Sequence, residues 1–144
     1  MKIKSFDNKF DYCSFLSIVS HLFFCFMESV VFVKAYRFAV EVVEMYKSLS
    51  ANKREFVLSK QCLRSGTAVG AIVAEAKHAQ SRADFLNKMN IALKEANETV
   101  YWLNLLKDTE YLSESEHASL HSTAVELTKM LASIVKTPKN NLSK

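Results

Sequence analysis

The chain has 144 residues, 49% of them hydrophobic and 24% charged, but only two glycines and one proline. A fold of many short strands needs these two residue types at its turns, so the composition excludes that class and predicts a single all-α domain. The formal net charge of +4 is too small to identify a partner, and three cysteines without CxxC spacing favour free thiols in the cytoplasm over a secreted disulfide framework.

Residues 1–27 differ in composition from the rest of the chain and form the first predicted region. The run from Phe15 to Met27 is mostly apolar, but it is shorter than the ~20 residues that cross a bilayer. A signal peptide is also disfavoured, because Asp7 and Asp11 interrupt the basic start and no small-residue cleavage site follows. We expect this region to lie upstream of a natural start at Met27 or to form a loosely attached extension, with a membrane anchor or signal as the alternative.

Residues 28–137 are predicted to form four helices joined by short polar loops, followed by a flexible basic tail at 138–144. The first helix is predicted to begin near Val30 and to end before the polar segment 50–54. Its apolar residues recur at steps of three and four but cover two sides of the helix. The second helix is predicted over 56–76. Its expected inward residues are Leu58, Cys62, Val69, Val73 and Ala76.

Capping sequences mark the starts of the third and fourth helices. Ser81-Arg-Ala-Asp84 has capping-box spacing with Asp in place of Glu, and Ser113-Glu-Ser-Glu116 is a full capping box. Because short connections make consecutive helices neighbours, the expected fold is an antiparallel up-down four-helix bundle. The expected inward residues are Leu86, Met89, Leu93, Ala96, Val100 and Leu103 in helix three, with a second stripe of Phe85, Ala92 and Trp102, and Leu120, Ala124, Leu127, Leu131 and Ile134 in helix four.

Both glycines lie inside the second helix, at positions 66 and 70, where each costs about 1 kcal/mol relative to alanine. Together with Ala74 they form a small-xxx-small ridge on one face, which predicts that another helix approaches this face closely. A phosphate-binding loop is the alternative, but such a loop lies between a strand and a helix and needs a Lys-Ser/Thr pair or a third glycine, which this segment lacks. We therefore interpret Gly66, Gly70 and Ala74 as helix-packing residues.

Two histidines and one cysteine are the first candidates for chemistry. His117 and His121 lie one helical turn apart, but two ligands on a polar helix are half of a metal site, and the HExxH order is absent. Cys62 falls on the inner stripe of its helix and is interpreted as a small core residue. We expect no metal site and no nucleophile here.

Three carboxylates are the second candidates. Glu75, Glu95 and Glu98 fall on helices that are predicted to pack together, and buried carboxylates can act as acids or bases. Charge pairing with Arg64, Lys88 or Lys94 is the simpler account, since a buried carboxylate normally needs a partner. We expect neither enzyme activity nor a cofactor.

Charge is distributed unevenly along the chain. Residues 34–94 carry eleven basic and five acidic side chains, a balance of +6, whereas residues 95–128 carry one basic and seven acidic side chains, a balance of −6. This polarity favours self-association, with basic surface against acidic surface, or a basic face free for an anionic polymer. Ordinary solvated helix faces are the alternative. The candidate nucleic-acid-binding residues are Lys53, Arg54, Lys60, Arg64, Lys77, Arg82, Lys88 and Lys94.

Several segments together resemble a known family. They are residues 60–70 (KQCLRSGTAVG), 74–76 (AEA), 84–88 (DFLNK), 91–99 (IALKEANET), 101–106 (YWLNLL) and 127–137 (LTKMLASIVKT). The pattern is similar to that of the four-helix-bundle family named after the protein encoded in intervening sequences of bacterial 23S ribosomal RNA genes. The resemblance covers about residues 28–137. This chain departs from the family at Ile72, where asparagine is usual, which puts any polar contact of that asparagine in doubt.

The resemblance implies a cytoplasmic, non-enzymatic bundle that assembles into a ring, typically a homopentamer. A related branch, the accessory variability proteins of diversity-generating retroelements, consists of basic pentamers that bind nucleic acid and a reverse transcriptase. For this chain we expect RNA or DNA to bind to the basic surface with little sequence specificity, because no base-reading motif is present and Tyr101 and Trp102 match no recognisable stacking platform. The alternative is a scaffold for a protein partner such as a reverse transcriptase.

Overall fold

The structure, a computed structural model, describes residues 12–136 of the chain. The predicted all-α class and four-helix arrangement are confirmed. The first helix begins at Tyr12 rather than near Val30, because the chain has neither glycine nor proline before residue 66, so no helix-breaking residue interrupts this stretch. The four helices are α1 (Tyr12–Lys53), α2 (Leu58–Ala76), α3 (Arg82–Asp108) and α4 (Glu114–Lys136).

The chain divides into two compact units, Met1–Val30 and Val31–Lys144. The described part of the first unit is the N-terminal portion of α1, and the second unit holds the bundle. None of the described helices has a stretch both long and apolar enough to cross a membrane. Residues 1–11 and 137–144 lie outside the described part of the chain, so the roles of the N-terminal extension and the basic tail stay predictions.

The start of α2 is built by Glu55, a buried residue in the loop that precedes the helix. Its Oε1 accepts hydrogen bonds from the backbone N–H groups of Val57 (2.9 Å) and Leu58 (2.8 Å), and its Oε2 accepts one from Ser59 (2.7 Å). Burial acts to raise the pKa of Glu55, but the hydrogen bonds from Ser59, Leu58 and Val57 outweigh it and hold the pKa below its ordinary value. The helix therefore begins at Leu58 rather than at Phe56.

The capping sequences mark the starts of α3 and α4, as predicted. Ser81 Oγ accepts a hydrogen bond from Asp84 N (3.1 Å), and the Asp84 carboxylate accepts one from Gln80 N (3.2 Å). In the second box, Ser113 Oγ accepts from Glu116 N (3.3 Å), and the Glu116 carboxylate accepts from Ser113 N (2.9 Å). Each box satisfies two backbone N–H groups that a helix start would otherwise leave unpaired.

Consecutive helices run antiparallel, and α4 closes on α1. Each helix thus contacts two others, so α1 and α3 lie at opposite corners of the bundle. The residue pairs that show this are Val42 and Gly66 between α1 and α2, Arg64 and Glu98 between α2 and α3, Glu75 and Lys88 between the same two helices, Asn104 and His117 between α3 and α4, and Lys34 and Glu126 between α1 and α4.

The core lies between all four helices. Every inward residue predicted for α4 is buried, but in α3 the predicted Leu86, Leu93 and Val100 are only half-buried. Because α3 contacts both α2 and α4, the centre of its buried face falls between the two stripes that its sequence suggests. The buried residues of α3 are Met89, Ala92, Ala96, Thr99, Leu103 and Leu106.

The glycines of α2 face α1 at short range. A Cβ atom built on Gly66 would lie 3.0 Å from both Cγ atoms of Val42, and one built on Gly70 would lie 3.3 Å from the backbone oxygen of Ala35. The second contact is with main chain, which cannot rotate away. We call the contact of Gly66 and Gly70 with Val42, Ala35 and Ala39 the α1–α2 seam. Ala74 and Ile72, further along α2, are half-buried.

Candidate nucleic-acid interface

The basic residues at the end of α1 have different surroundings. Lys53 Nζ donates hydrogen bonds to the backbone oxygens of Glu110 (3.1 Å) and Tyr111 (2.8 Å), so its ammonium joins α1 to the connection between α3 and α4. The next residue, Arg54, is exposed and has a positive φ of 52°. Arg54 therefore presents its charge to solvent, whereas Lys53 has a structural role.

Arg64 and Lys88 form ion pairs across the contact between α2 and α3. Arg64 Nη2 lies 2.7 Å from Glu98 Oε1, and Lys88 Nζ lies 3.5 Å from Glu75 Oε2. The predicted charge pairing of Glu98 and Glu75 is confirmed. These pairs are partly solvated and contribute little to stability, but each one neutralises a cation that a phosphate would otherwise meet.

Glu95 differs from the other two carboxylates. Its Oε2 atom is buried and has no hydrogen-bond partner among the described residues. The pairing predicted for this residue is therefore not seen. A buried carboxylate oxygen without a donor is costly, and nothing in the structure explains it.

Lys77, at the end of α2, is held by an aromatic ring. Its Nζ atom lies 3.3 Å from the centroid of the Phe32 ring on α1, a cation–π arrangement that leaves the ammonium charged. The residue as a whole is exposed. This lysine can meet a phosphate only at the edge that the ring does not cover.

Three of the candidates, Arg54, Lys60 and Lys94, are exposed and form no ion pair, side-chain hydrogen bond or cation–π contact within the described part of the chain. Arg82 is exposed as well. Arg54, Lys60 and Lys94 are the basic side chains of the candidate set that project most freely into solvent.

The eight candidates, which we call the basic strip, are spread along α2, α3 and the chain just before α2 rather than gathered in one compact patch. Lys53, Arg54, Lys60 and Arg64 lie at one end of α2, and Lys77 and Arg82 flank its other end. A helix of 19 residues is about 28 Å long at 1.5 Å per residue. Residues 53–94 carry eight basic and three acidic side chains, a balance of +5. The candidate cations therefore extend over about the length of α2.

An aromatic pair lies beside this strip and was not recognised from the sequence as a binding feature. Trp102 Nε1 donates a hydrogen bond to Glu98 Oε1 (3.1 Å), the oxygen that also accepts from Arg64, and the Tyr101 ring meets the Trp102 ring edge to face at 5.0 Å. The Tyr101 ring is exposed. The spacing of Glu98, Tyr101 and Trp102, three and four residues apart on one helix, is the signal that could have revealed this cluster.

The two histidines lie close together at the start of α4. Their ring centroids are 4.8 Å apart, and His117 Nε2 donates a hydrogen bond to Asn104 Oδ1 on α3 (2.8 Å). Burial lowers the pKa of His117, and the nearby charges of His121 and Lys107 lower it further. In the described part of the chain, no group of three or more His, Cys, Asp or Glu side chains could hold a metal ion.

Cys62 lies inside the bundle with a free thiol. Burial raises the pKa of this thiol to about 12, so it stays protonated at neutral pH, and a protonated thiol is a poor nucleophile. The position agrees with its interpretation as a core residue.

Two comparisons place the chain among known proteins. The model of one family, described as 23S rRNA-intervening sequence protein, matches residues 27–133. A crystal structure at 1.70 Å resolution of a protein with unknown function, from the S23 ribosomal protein family of Bacteroides thetaiotaomicron VPI-5482, is similar at 54% sequence identity and a TM-score of 0.75; the similarity covers 76% of this chain and 98% of that chain. No match to a curated protein was found.

The match extends through all four helices of the bundle and includes the helix-packing glycines and the candidate basic residues. The resemblance predicted from the sequence is confirmed. The chain belongs to the 23S rRNA-intervening sequence protein family.

Proposed function

We propose that this protein is a non-enzymatic, oligomeric helical bundle that binds RNA or DNA through the basic strip along α2 and α3. The observation that carries the proposal is the exposure of Arg54, Lys60 and Lys94, which form no ion pair among the described residues. Unpaired cations attract a polyanion by displacing its counterions, a contribution that does not depend on base sequence. Binding is therefore expected to be weakly sequence-specific.

The Tyr101 ring favours single-stranded nucleic acid over duplex. It is exposed beside Trp102, and an exposed aromatic ring next to cations can stack on an unpaired base. Such stacking contributes about 1–3 kcal/mol per base and tolerates any sequence. The cations of the strip and one aromatic ring together suit an unpaired region of a structured RNA.

A ring of copies would multiply the modest charge of one subunit. α1 exposes Val33 and Tyr36, and α3 exposes Ile91, at opposite corners of the bundle. Apolar faces on opposite sides of a subunit favour head-to-tail contacts, which close into a ring when the rotation permits. The mass in solution, measured by light scattering, tests this part of the proposal. A stable monomer near the chain mass of 16.4 kDa would refute it.

The test of nucleic-acid binding is a titration of the purified protein with single-stranded RNA, structured RNA and duplex DNA across salt concentrations. The variant Lys60→Gln/Lys94→Gln is expected to weaken all three complexes. It should also reduce the slope of log affinity against log salt by roughly 0.7–0.9 for each phosphate contact removed. Tyr101→Ala should weaken the single-stranded complex and leave the salt slope unchanged.

The matched control is Lys47→Gln, which removes one positive charge from α1, where Lys47 pairs with Glu44 at 2.9 Å. It is expected to leave affinity and salt slope as they are. If the unmodified protein binds no nucleic acid even at low salt, the proposal fails. The scaffold for a protein partner, such as a reverse transcriptase, then replaces it.

A further inference from the structure

A groove lies between α1 and α4, on a side of the bundle away from the contact of α2 with α3. It has a volume of about 480 Å³ and is open to solvent. Its apolar lining comes from Val40, Met45 and Leu49 of α1, Leu112 of the preceding connection and Leu120 of α4. Of these five side chains only Val40 is well exposed, so the other four form the floor of the groove.

The edges of the groove are acidic. Glu41, Glu44 and Glu116 line it, and no lysine or arginine does. Glu44 has Lys47 beside it, and hydrogen bonds from Ser113 lower the pKa of Glu116. Glu41 has no ion pair among the described residues. The groove therefore suits a molecule that is apolar on the side facing the floor and cationic along its edges.

The length of the groove suits a helix. Val40 and Leu49 are about 13 Å apart along α1 at 1.5 Å per residue, which matches two to three turns of a bound helix. An amphipathic helix places side chains at i, i+3, i+4 and i+7 into an apolar groove of this kind. Lysines or arginines flanking that stripe would lie next to the carboxylates at the edges.

We propose that the groove between α1 and α4 binds a basic amphipathic helix of a partner protein, with its apolar stripe on Met45, Leu49 and Leu120 and its cations against Glu41 and Glu44. This site does not rest on nucleic-acid binding, because its acidic edges repel phosphate. The protein would thus present two surfaces of opposite charge, one for each class of partner.

The proposal is tested with a fluorescent peptide of about 18 residues, long enough to form an amphipathic helix, with leucines at i, i+3, i+4 and i+7 and lysines beside them. One control peptide has the same composition in scrambled order, and a second has glutamate in place of lysine. The full-length protein is expected to bind the first peptide and neither control. Glu41→Lys should weaken binding about tenfold or more, since it places a like charge against the peptide.

A matched pair of variants locates the site. Val40 and Val19 are equally exposed on α1, at 46% each, but only Val40 lines the groove. Val40→Ser should weaken peptide binding severalfold, and Val19→Ser should leave it unchanged. Methyl resonances of Leu120 and Met45 should shift when the peptide is added.

Three results would overturn the proposal. The first is no binding of the amphipathic peptide, or equal binding of the scrambled or acidic peptide. The second is binding that neither Glu41→Lys nor Val40→Ser changes. The third is a lower solution mass for Val40→Ser, because the groove would then be a contact between copies of this chain. A failure of nucleic-acid binding in the separate titration leaves this proposal intact.

Discussion

α1 meets its two neighbours in different ways. Towards α2 it presents Val42 to Gly66 and Ala35 and Ala39 to Gly70, and at Gly70 even one methyl group would touch the main chain of α1. Towards α4 it presents Glu41, Glu44 and Ser48, and an open groove remains. Small residues let the first contact close, whereas carboxylates keep the second open because burying a charge is costly. One face of the same helix thus stabilises the fold, and the other leaves room for a ligand.

The largest expected effect comes from filling the α1–α2 seam. Gly70→Leu should destabilise the protein by roughly 1–3 kcal/mol or more, because the new side chain meets the Ala35 carbonyl, which is part of a helix and cannot move alone. The free energy of unfolding, from denaturant titration, is the measurement. Ala71→Leu is the control, since Ala71 is the next residue and is exposed. Equal stabilities of the two variants would mean that the seam is not closed.

The second largest effect is expected in the loop that precedes α2. Glu55→Ala removes the acceptor of three backbone N–H groups at the start of α2, and leaving such groups unpaired costs about 1–3 kcal/mol. Glu55→Gln retains one acceptor oxygen, so its stability should lie between that of Glu55→Ala and that of the natural protein. Helical content and the denaturation midpoint measure the difference. A midpoint unchanged by Glu55→Ala would mean that Glu55 does not stabilise the start of α2.

Glu55 also gives the fold a defined response to acid. Because its pKa in the folded protein is below the ordinary value of 4.5, its stabilising contribution is fully present above that value. The contribution is lost as the pH falls through the lowered pKa of the folded state. Stability measured against pH should decline less steeply in this acid range for Glu55→Gln than for the natural protein.

A smaller effect is expected at the α1–α4 contact, where Lys34 and Glu126 form an ion pair. The Glu126 side chain is more than half exposed, so Glu126→Gln should cost only about 0.2–1 kcal/mol, and less at high salt. Denaturation at low and high ionic strength measures this. A cost as large as that of Glu55→Ala would show that α4 depends on α1 through charge rather than through apolar contact.

The smallest effect is expected inside the groove. Ser119 lines it and is exposed, so Ser119→Leu has space and should change the free energy of unfolding by no more than about 0.5 kcal/mol. The same type of enlargement that disrupts the α1–α2 seam is thus expected to be tolerated here. Strong destabilisation would mean that the groove closes in solution.

Local sequence signals predicted much of the bundle. Ser81 and Ser113 marked two helix starts because a capping box involves only neighbouring residues, and the inward residues of α4 followed from one clear apolar stripe. The two glycines indicated a close contact because a helix interior normally avoids them. What these features share is that a few residues of one helix determine them.

Features that depend on two or more helices, or on an uncommon local cap, were not predicted. Phe56 was expected to open α2, but the start depends on Glu55, whose side chain reaches forward from the loop in no recognised capping pattern. The groove beside Val40 depends on how α4 lies against α1. The link from Arg64 through Glu98 to Trp102 likewise required the contact between α2 and α3. Spacing along the chain carries no information on the distances between helices.

The buried thiol of Cys62 makes the protein its own reporter of unfolding. Thiol reagents attack the thiolate, and a fully covered thiol with a pKa of about 12 can react only after the surrounding helices separate. In a chain with serine at positions 13 and 25, the rate of Cys62 labelling would therefore count opening events of the bundle under native conditions.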